Sequence, residues 1–196
     1  MGRALRGGQP GTVDILMRLE PLSIPGAFRI VPAPVRDERG SFTRWYDVEV
    51  FRAHRLELPN VQGGVSYNAL RGTLRGLHFI PEAEGEAKLV RCTRGRIFDV
   101  VVDLRPASSA FGRWIGAELS PQTAEALYIP RGCAHGFVSL EDESDVVYQF
   151  SMPFRQGVER GIRWDDPDIG IEWPLEPVVI SERDRTLPLL RMERAL

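Results

Sequence analysis

The feature that most limits the fold of this chain is a series of short apolar segments between residues 61 and 151. Turn-forming residues separate them, for example Pro121-Gln122 and Pro130-Arg131-Gly132. The clearest segments are Lys88–Thr93, Arg96–Leu104, Trp114–Leu119, Ala126–Ile129, Ala134–Leu140 and Asp145–Ser151. Many short strands at this spacing, with almost no helical periodicity, predict an all-β sandwich or barrel of the jelly-roll kind.

Two of these segments are typical of a β-hairpin. Lys88–Thr93 and Arg96–Leu104 flank the turn-forming pair Arg94-Gly95, and we therefore predict that the two strands pair with each other. In the second strand Asp99 and Asp103 lie on the same face, because side chains alternate along a strand.

The region before residue 61 has weaker patterns. We expect a short strand within Val13–Leu22 and another at Ser41–Tyr46, whereas Pro32 and Pro34 interrupt any helix between them. Asp47–Leu56 begins with an N-cap residue and has apolar residues at near-helical spacing. That pattern predicts a short surface helix.

Length and charge restrict the class of protein. A chain of 196 residues suits one well-packed domain, so we expect a single domain over residues 1–196, with residues 1–12 a flexible leader. The net charge of −2 provides no basic field for nucleic acid or for a membrane surface, and no apolar run could span a bilayer. Cys92 and Cys133 form no close-spaced motif, which is typical of a reduced cytoplasmic protein.

The stretch Arg71–Phe79 carries the most chemistry. Gly72 and Gly76 allow the backbone to approach another group closely or to turn sharply. Arg71 and Arg75 offer donors for a phosphate or a carboxylate, and the stretch brings them close to His78, a candidate acid or base. An edge strand with solvated arginines and a packed histidine explains the same residues equally well.

Other kinds of site lack their usual motifs. A metal site favours clustered histidines, but no His-x-His occurs, and His78 and His135 are 57 positions apart (135 minus 78). A metal-dependent oxygenase therefore remains open only if Asp or Glu supplies most ligands. No Gly-x-Ser-x-Gly elbow and no glycine-rich phosphate loop is found, and Cys133 is expected to pack in the core.

The remaining residue types suit proton transfer without a cofactor. Histidine, tyrosine, lysine and aspartate are the usual acids and bases of such reactions. The candidates are His78, Lys88, Asp99, His135, Tyr148 and Asp184. A strand-end lysine, a core tyrosine or a solvated turn aspartate would look the same in the sequence.

Seven short motifs resemble one family in the right order and spacing. They are Asp37-x-Arg39-Gly40-x-Phe42, Arg75-Gly76-Leu77-His78, Lys88-Leu89-Val90-Arg91, Phe98-Asp99-Val100 with Val102-Asp103-Leu104-Arg105, Ile129-Pro130-x-Gly132-x-Ala134-His135-Gly136-Phe137, Trp164-Asp165-Asp166-Pro167 with Ile171-x-Trp173-Pro174, and Ser181-x-x-Asp184. From about residue 37 to 190 the chain resembles the dTDP-4-dehydrorhamnose 3,5-epimerases. The resemblance implies a cupin-type jelly roll (a double-stranded β-helix) with short peripheral helices, assembled as a homodimer.

The resemblance also implies a role for individual residues. His78, held by Asp184, is then the base that removes a hydrogen α to a C4 ketone. Tyr148 returns a proton from the opposite face, and Lys88 stabilises the enolate between the two steps. The implied substrate contacts are Arg39 (reaching the partner's site), Gln62, Arg75, His135, Phe154 and Arg185. The implied reaction uses no metal and no redox cofactor.

Three positions depart from the family pattern. Gly64 stands where an asparagine is usual, Arg44 replaces a glutamate, and Phe154 replaces a second tyrosine. These departures bear on the nucleotide base and on whether one or both carbons are inverted.

Three functions compete on this basis. The leading one is a cofactor-independent epimerase that inverts C3, C5 or both in a nucleotide-linked 4-keto-6-deoxy sugar. The others are a single-site epimerase or ketoisomerase of the same pathways, and a non-catalytic sugar-nucleotide-binding cupin.

Overall fold

The computed structural model describes residues 16–193, so the expected leader at 1–12 lies outside the described residues. Strands dominate this part of the chain, and the helices are short. The strands are β1 (Met17–Pro21), β2 (Phe28–Pro32), β3 (Val35–Asp37), β4 (Gly40–Phe42), β5 (Gln62–Asn68), β6 (Thr73–Phe79), β7 (Lys88–Arg94), β8 (Ile97–Asp103), β9 (Trp114–Leu119), β10 (Ala126–Ile129), β11 (Cys133–Ser139), β12 (Ser144–Phe150), β13 (Arg160–Gly161) and β14 (Val179–Ile180). The helices are α1 (Val48–Ala53), α2 (Glu182–Arg185) and α3 (Leu190–Glu193).

Two six-stranded sheets form the body of the protein. The first sheet has the order β1-β2-β10-β7-β12-β5, and the second has the order β13-β6-β11-β8-β9, with β14 paired to β6. Neighbouring strands are mostly distant in sequence, because the chain passes repeatedly from one sheet to the other. This is the jelly-roll architecture that the strand pattern predicts, and the all-β prediction is confirmed.

The core lies between the two sheets. Val90 and Leu127 of the first sheet pack there against Val101 and Phe137 of the second. Towards one end the inward side chains are polar, among them His78, Lys88 and His135, and they line a cavity between the sheets. The inward side chains of the strands therefore build both the core and the site.

The outer faces of both sheets are also covered. Helix α1 is N-capped by Asp47, whose carboxylate accepts from the Glu49 amide, and it packs Val50 and Phe51 against the first sheet. The C-terminal segment covers the second sheet with apolar side chains that include Ile162 and Trp173. Strand β8 is consequently buried on both faces, which explains its nearly continuous apolar sequence.

The predicted hairpin is wrong. Strand β7 pairs with β10 and β12 of the first sheet, whereas β8 pairs with β9 and β11 of the second. The turn at Gly95, with a φ of +69°, carries the chain between the sheets instead of back along the same one. A local turn signal does not distinguish these outcomes, because the strand partners are chosen by burial between the sheets.

Other differences are small. The strand expected within Val13–Leu22 is β1, but the one expected at Ser41–Tyr46 stops at Phe42, and the helix is shorter than predicted. Strand β2 was not predicted. It ends at Pro32, and a proline is compatible with the end of a strand although it would interrupt a helix. Within residues 16–193, no helix has the length and apolar character needed to cross a bilayer.

Candidate active site

A cavity of about 400 Å³ opens between the sheets at their polar end. Its volume falls within the range of pockets that hold small molecules. All four predicted catalytic side chains line it, namely His78, Lys88, Tyr148 and Asp184. Four of the predicted substrate contacts line it as well, namely Gln62, Arg75, His135 and Phe154. Residues more than 100 positions apart in sequence thus share one pocket.

Gly76 and Gly136 allow strands β6 and β11 to approach closely, and the two strands place His78 beside His135. His78 of β6 lies opposite His135 of β11 in the sheet register. At Gly76 the φ is +115°, and an added Cβ would lie 2.6 Å from the Cα of Gly136. The sequence prediction of close backbone approach at Gly76 is therefore confirmed, since no side chain fits there.

Asp184 fixes the ring of His78. The Nε2 atom of His78 lies 2.7 Å from Oδ1 of Asp184, and the Gly76 amide donates to Oδ2 at 3.0 Å. Asp184 sits in the first turn of α2, where its amide donates to the N-cap hydroxyl of Ser181 at 3.1 Å. Burial raises the pKa of Asp184, but the hydrogen bonds from His78 and Gly76 outweigh it, so the net pKa lies below the ordinary value.

This arrangement selects the tautomer of His78. An ionised Asp184 only accepts hydrogen bonds, so Nε2 carries the hydrogen and Nδ1 keeps the basic lone pair. The ring is 22% exposed, whereas Asp184 is 5% exposed. His78 is therefore a candidate base, with Nε2 held by Asp184 and Nδ1 on the cavity side.

A second histidine–aspartate pair lies deeper. Nε2 of His135 donates to Oδ1 of Asp99 at 2.7 Å, and Asp99 is completely buried. The ring of Tyr148 stands edge-on to His135, with 5.8 Å between the ring centres. Burial, followed by the negative charge of Asp99, raises the pKa of Tyr148 above its ordinary value, while Arg75 opposes the rise. Tyr148 is thus kept protonated, which a candidate general acid requires.

Lys88 is the only lysine of the chain, and it lies in this cavity. Its ammonium group is 3.8 Å from Oε1 of Glu86, and both side chains are almost completely buried. Burial lowers the pKa of Lys88, whereas Glu86 and Glu159 oppose that effect. In its protonated form, Lys88 would act on negative charge in the cavity with little competition from water.

Two predicted contacts are held in place by their neighbours. The Nε atom of Arg75 donates to Oδ1 of Asn68 at 2.8 Å, which directs the guanidinium along the cavity wall. The side-chain oxygen of Gln62 accepts from the Phe154 amide at 2.6 Å, whereas the ring of Phe154 is largely exposed.

Two other predicted contacts do not line this cavity. Arg39 lies in the turn between β3 and β4, is highly exposed and pairs with Asp37. Arg185 faces solvent, whereas Arg183, two residues earlier on α2, lines the cavity. The sequence motif Ser181-x-x-Asp184 could have predicted which arginine lines the cavity. Ser181 is the N-cap of α2, and residues two apart on a helix, such as Arg183 and Arg185, do not share a face.

The sequence analysis did not predict four charged side chains that line the cavity. They are Glu86, Arg155, Glu159 and Arg183. Glu86 lies two residues before Lys88, so strand alternation could have revealed it. Glu159 and Arg155 lie in an irregular segment with no local signal. Within residues 16–193, no three His, Cys, Asp or Glu side chains come together as metal ligands would.

Comparison with known proteins identifies the family. The sequence profile of the dTDP-4-dehydrorhamnose 3,5-epimerase family matches residues 21–192. A dTDP-4-dehydrorhamnose 3,5-epimerase of Methanothermobacter thermautotrophicus is 46% identical over 172 residues, covering 86% of this chain and 92% of the relative. A dTDP-4-dehydrorhamnose 3-epimerase of Streptomyces niveus is 39% identical, covering 91% of this chain and 86% of the relative.

Solved structures agree with the sequence comparison. NovW, a 4-keto-6-deoxy sugar epimerase from the novobiocin biosynthetic gene cluster of Streptomyces spheroides, superposes with a TM-score of 0.86 at 37% identity. The match covers 100% of this chain and 94% of NovW. The chain therefore belongs to the dTDP-4-dehydrorhamnose 3,5-epimerase family and is a carbohydrate epimerase.

Proposed function

We propose that this protein inverts C3, C5 or both in a dTDP-linked 4-keto-6-deoxy sugar. The observation that carries the proposal is a histidine and a tyrosine on opposite walls of one cavity, where they can act as base and acid. His78 belongs to β6 of the second sheet, whereas Tyr148 belongs to β12 of the first. Facing sheets lie about 10 Å apart, so a sugar ring between them meets the base on one face and the acid on the other.

The first step is removal of a hydrogen next to the ketone. Nδ1 of His78 takes the proton, and the C–H electron pair moves into an enolate whose oxygen is the former C4 carbonyl. Asp184 stabilises the imidazolium that forms, because its carboxylate already accepts from Nε2. The ammonium group of Lys88 supplies the positive charge that the enolate oxygen requires.

The second step is proton return from the opposite face. Tyr148 donates its phenolic hydrogen to the carbon, which inverts the configuration, and then recovers a proton from solvent. Burial and the charge of Asp99 favour the protonated phenol before the step. Inversion therefore follows from the positions of the two groups and needs no change in the protein fold.

The substrate class is supported by the cavity and by the relatives. The two relatives named above act on dTDP-linked dehydrorhamnose, and NovW on a 4-keto-6-deoxy sugar. Arg75, Arg155 and Arg183 give the cavity three guanidinium groups, which suit the two phosphates of a nucleoside diphosphate. Gln62 is proposed to contact the nucleotide.

Phe154 bears on which carbon is inverted. It lines the cavity but has no hydroxyl to donate, so Tyr148 must supply the proton at every carbon. A donor reaches only about 3 Å, so one phenol serves two carbons only if the sugar shifts between steps. We therefore expect one carbon to exchange with solvent much faster than the other.

The test is incubation with dTDP-4-keto-6-deoxyglucose in heavy water, read by NMR. Exchange at both C3 and C5 supports the full reaction, and exchange at one carbon supports the single-site alternative. No exchange at either would contradict catalysis and favour a binding protein. The same exchange is expected after exhaustive chelation. A loss of exchange that one divalent metal restores would show that the reaction depends on a metal, which our mechanism does not include.

We also propose a homodimer in the cytoplasm. Strand β5 is the edge of the first sheet and exposes Val65 and Tyr67, an apolar edge that a second copy can cover. The β3–β4 hairpin exposes Phe42 and carries Arg39, which we place in the partner's cavity. Both cysteines are free thiols, as expected in a reducing compartment.

Mixing two inactive variants tests the shared site. In a heterodimer of Arg39→Ala and His78→Asn chains, one cavity carries both defects and the other carries neither, so activity should partly return. The control is each variant mixed with itself. A monomeric mass for the active protein, or no recovery in confirmed heterodimers, would contradict the proposal.

A further inference from the structure

The free nitrogen of His78 faces a second carboxylate. Nδ1 of His78 lies 3.7 Å from Oε1 of Glu159, on the side of the ring opposite Asp184. Glu159 is 36% exposed, whereas Asp184 is 5% exposed. The nitrogen that takes the substrate proton is therefore next to a carboxylate that reaches solvent.

The position of Glu159 is fixed from two sides. The next residues, Arg160 and Gly161, form β13, and Gly161 pairs with His78 itself in the sheet. The other oxygen of Glu159, Oε2, accepts from the guanidinium of Arg183 at 2.7 Å. One oxygen is thus held by the ion pair, while the other remains directed at the imidazole.

The proposed reaction leaves a proton that must depart. After each removal His78 is an imidazolium, and Tyr148 supplies a different proton from the other face. His78 must lose the first proton to solvent before it can act again. Asp184 is a poor route, because it is buried and its lowered pKa makes it a weak proton acceptor.

We propose that Glu159 carries the abstracted proton from Nδ1 of His78 to bulk solvent; this rests on the proposed epimerase function. The N–H bond at Nδ1 breaks as an O–H bond forms at Oε1, and Glu159 then gives the proton to water. The imidazole returns to its neutral form, and charge is balanced in each transfer. At 3.7 Å the groups need either a small approach or one bridging water.

The charges around Glu159 fit this role. Arg183 keeps one oxygen engaged, and Lys88 and Glu86 lie close enough that each interacts electrostatically with Glu159. Glu159 is therefore a relay that acts through His78, and it need not touch the substrate.

The test compares Glu159→Gln with the wild type in heavy water. Deuterium is measured separately in the product and in the unconverted substrate at equal conversion. The product label comes through Tyr148 and should not change. The substrate label arises when His78 exchanges its proton and returns a deuteron, so it should fall several-fold. Turnover should fall by roughly 10-fold, because water replaces the relay only in part.

Matched variants separate the relay from other roles. Glu182→Gln removes an exposed carboxylate of α2 outside the cavity and should behave as the wild type. Arg183→Gln breaks the ion pair and should mainly raise KM; it should lower the substrate label less than Glu159→Gln does, because β13 still holds Glu159 beside His78. Glu159→Asp keeps the carboxylate and should retain part of the relay. Formate or imidazole buffer should restore turnover in Glu159→Gln but not change the wild type.

Each result decides the proposal. A normal substrate label and normal turnover in Glu159→Gln overturn the relay, as does a defect confined to KM and shared with Arg183→Gln. A loss of turnover in folded Glu159→Gln that no buffer restores also overturns it. If Glu159→Gln does not fold, full substrate label in Glu159→Asp with no buffer effect is contrary evidence. Failure of the wild type to exchange at all would instead contradict the proposed function.

Discussion

The two histidine–aspartate pairs make the same hydrogen bond in different surroundings. We call His78–Asp184 the outer pair and His135–Asp99 the inner pair, and in both Nε2 lies 2.7 Å from a carboxylate oxygen. The outer imidazole is 22% exposed and the inner one 6% exposed. Identical bonding therefore does not imply an identical role, because proton transfer to a substrate also requires access.

The neighbours of each pair sharpen the difference. The outer pair has Glu159 on its free side, with Oε1 at 3.7 Å from Nδ1 of His78, which is the route that we propose for its proton. The inner pair has Tyr148 against its ring, and within the described residues the second oxygen of Asp99 accepts no hydrogen bond. On the proposed mechanism the outer pair exchanges protons, and the inner pair keeps the phenol of Tyr148 protonated and in place.

The largest expected effect is at the outer imidazole. His78→Asn should keep the fold and dTDP binding but lower turnover and solvent exchange by a factor on the order of 10² or more. His135→Asn should retain more exchange than inversion, because it acts on the acid. Steady-state kinetics and deuterium uptake measure both, and an active His78→Asn enzyme would remove the central assignment.

Removing the phenol should separate the two half-reactions. In Tyr148→Phe the base still removes a hydrogen, so unconverted substrate should gain deuterium, whereas product formation should fall on the order of 10²-fold. Mass spectrometry of substrate and product distinguishes the two. Full epimerisation by this variant would show that the proton comes from elsewhere, for example from water.

The carboxylates of the two pairs provide a matched comparison. Asp184→Asn removes the charge that holds the tautomer of His78, so exchange and inversion should fall together, by roughly 10- to 100-fold. Asp99→Asn should lower the pKa of Tyr148 and leave exchange almost unchanged. The difference between ultraviolet titrations of Asp99→Asn with and without Tyr148→Phe isolates this phenol among the four tyrosines, and deuterium uptake measures the exchange. Equal losses of exchange in the two variants would abolish the distinction between the pairs.

The smallest effect concerns stability in acid. The folded-state pKa of Asp184 lies below the ordinary 3.8, so the unfolded chain binds a proton more readily. The stabilisation is therefore complete above that ordinary pKa and is lost as the pH falls through the folded-state value. Urea unfolding of wild type and Asp184→Asn should show a difference at neutral pH that shrinks below 3.8. Asp168→Asn, at an exposed position, is the control and should give no such convergence.

Individual residues show how far the sequence predicts this molecule. Alternation and turn residues predict most strands from β7 to β12, because these depend on local burial. They cannot predict that β7 and β8 lie in different sheets, since that choice depends on the whole core. The resemblance names His78 and Asp184 together, but no local pattern places Glu159 beside them. Sheet register does so, through the pairing of Gly161 with His78.

The position of Lys88 has a consequence for chemical labelling. Every other basic side chain among the 25 is an arginine, so the surface in the described part of the chain carries guanidinium groups and no primary amine. An acylating reagent thus has two targets on the full chain, the terminal amine and Lys88 inside the cavity. A single mass increment on one tryptic peptide therefore reports whether the cavity is occupied, without any engineered probe.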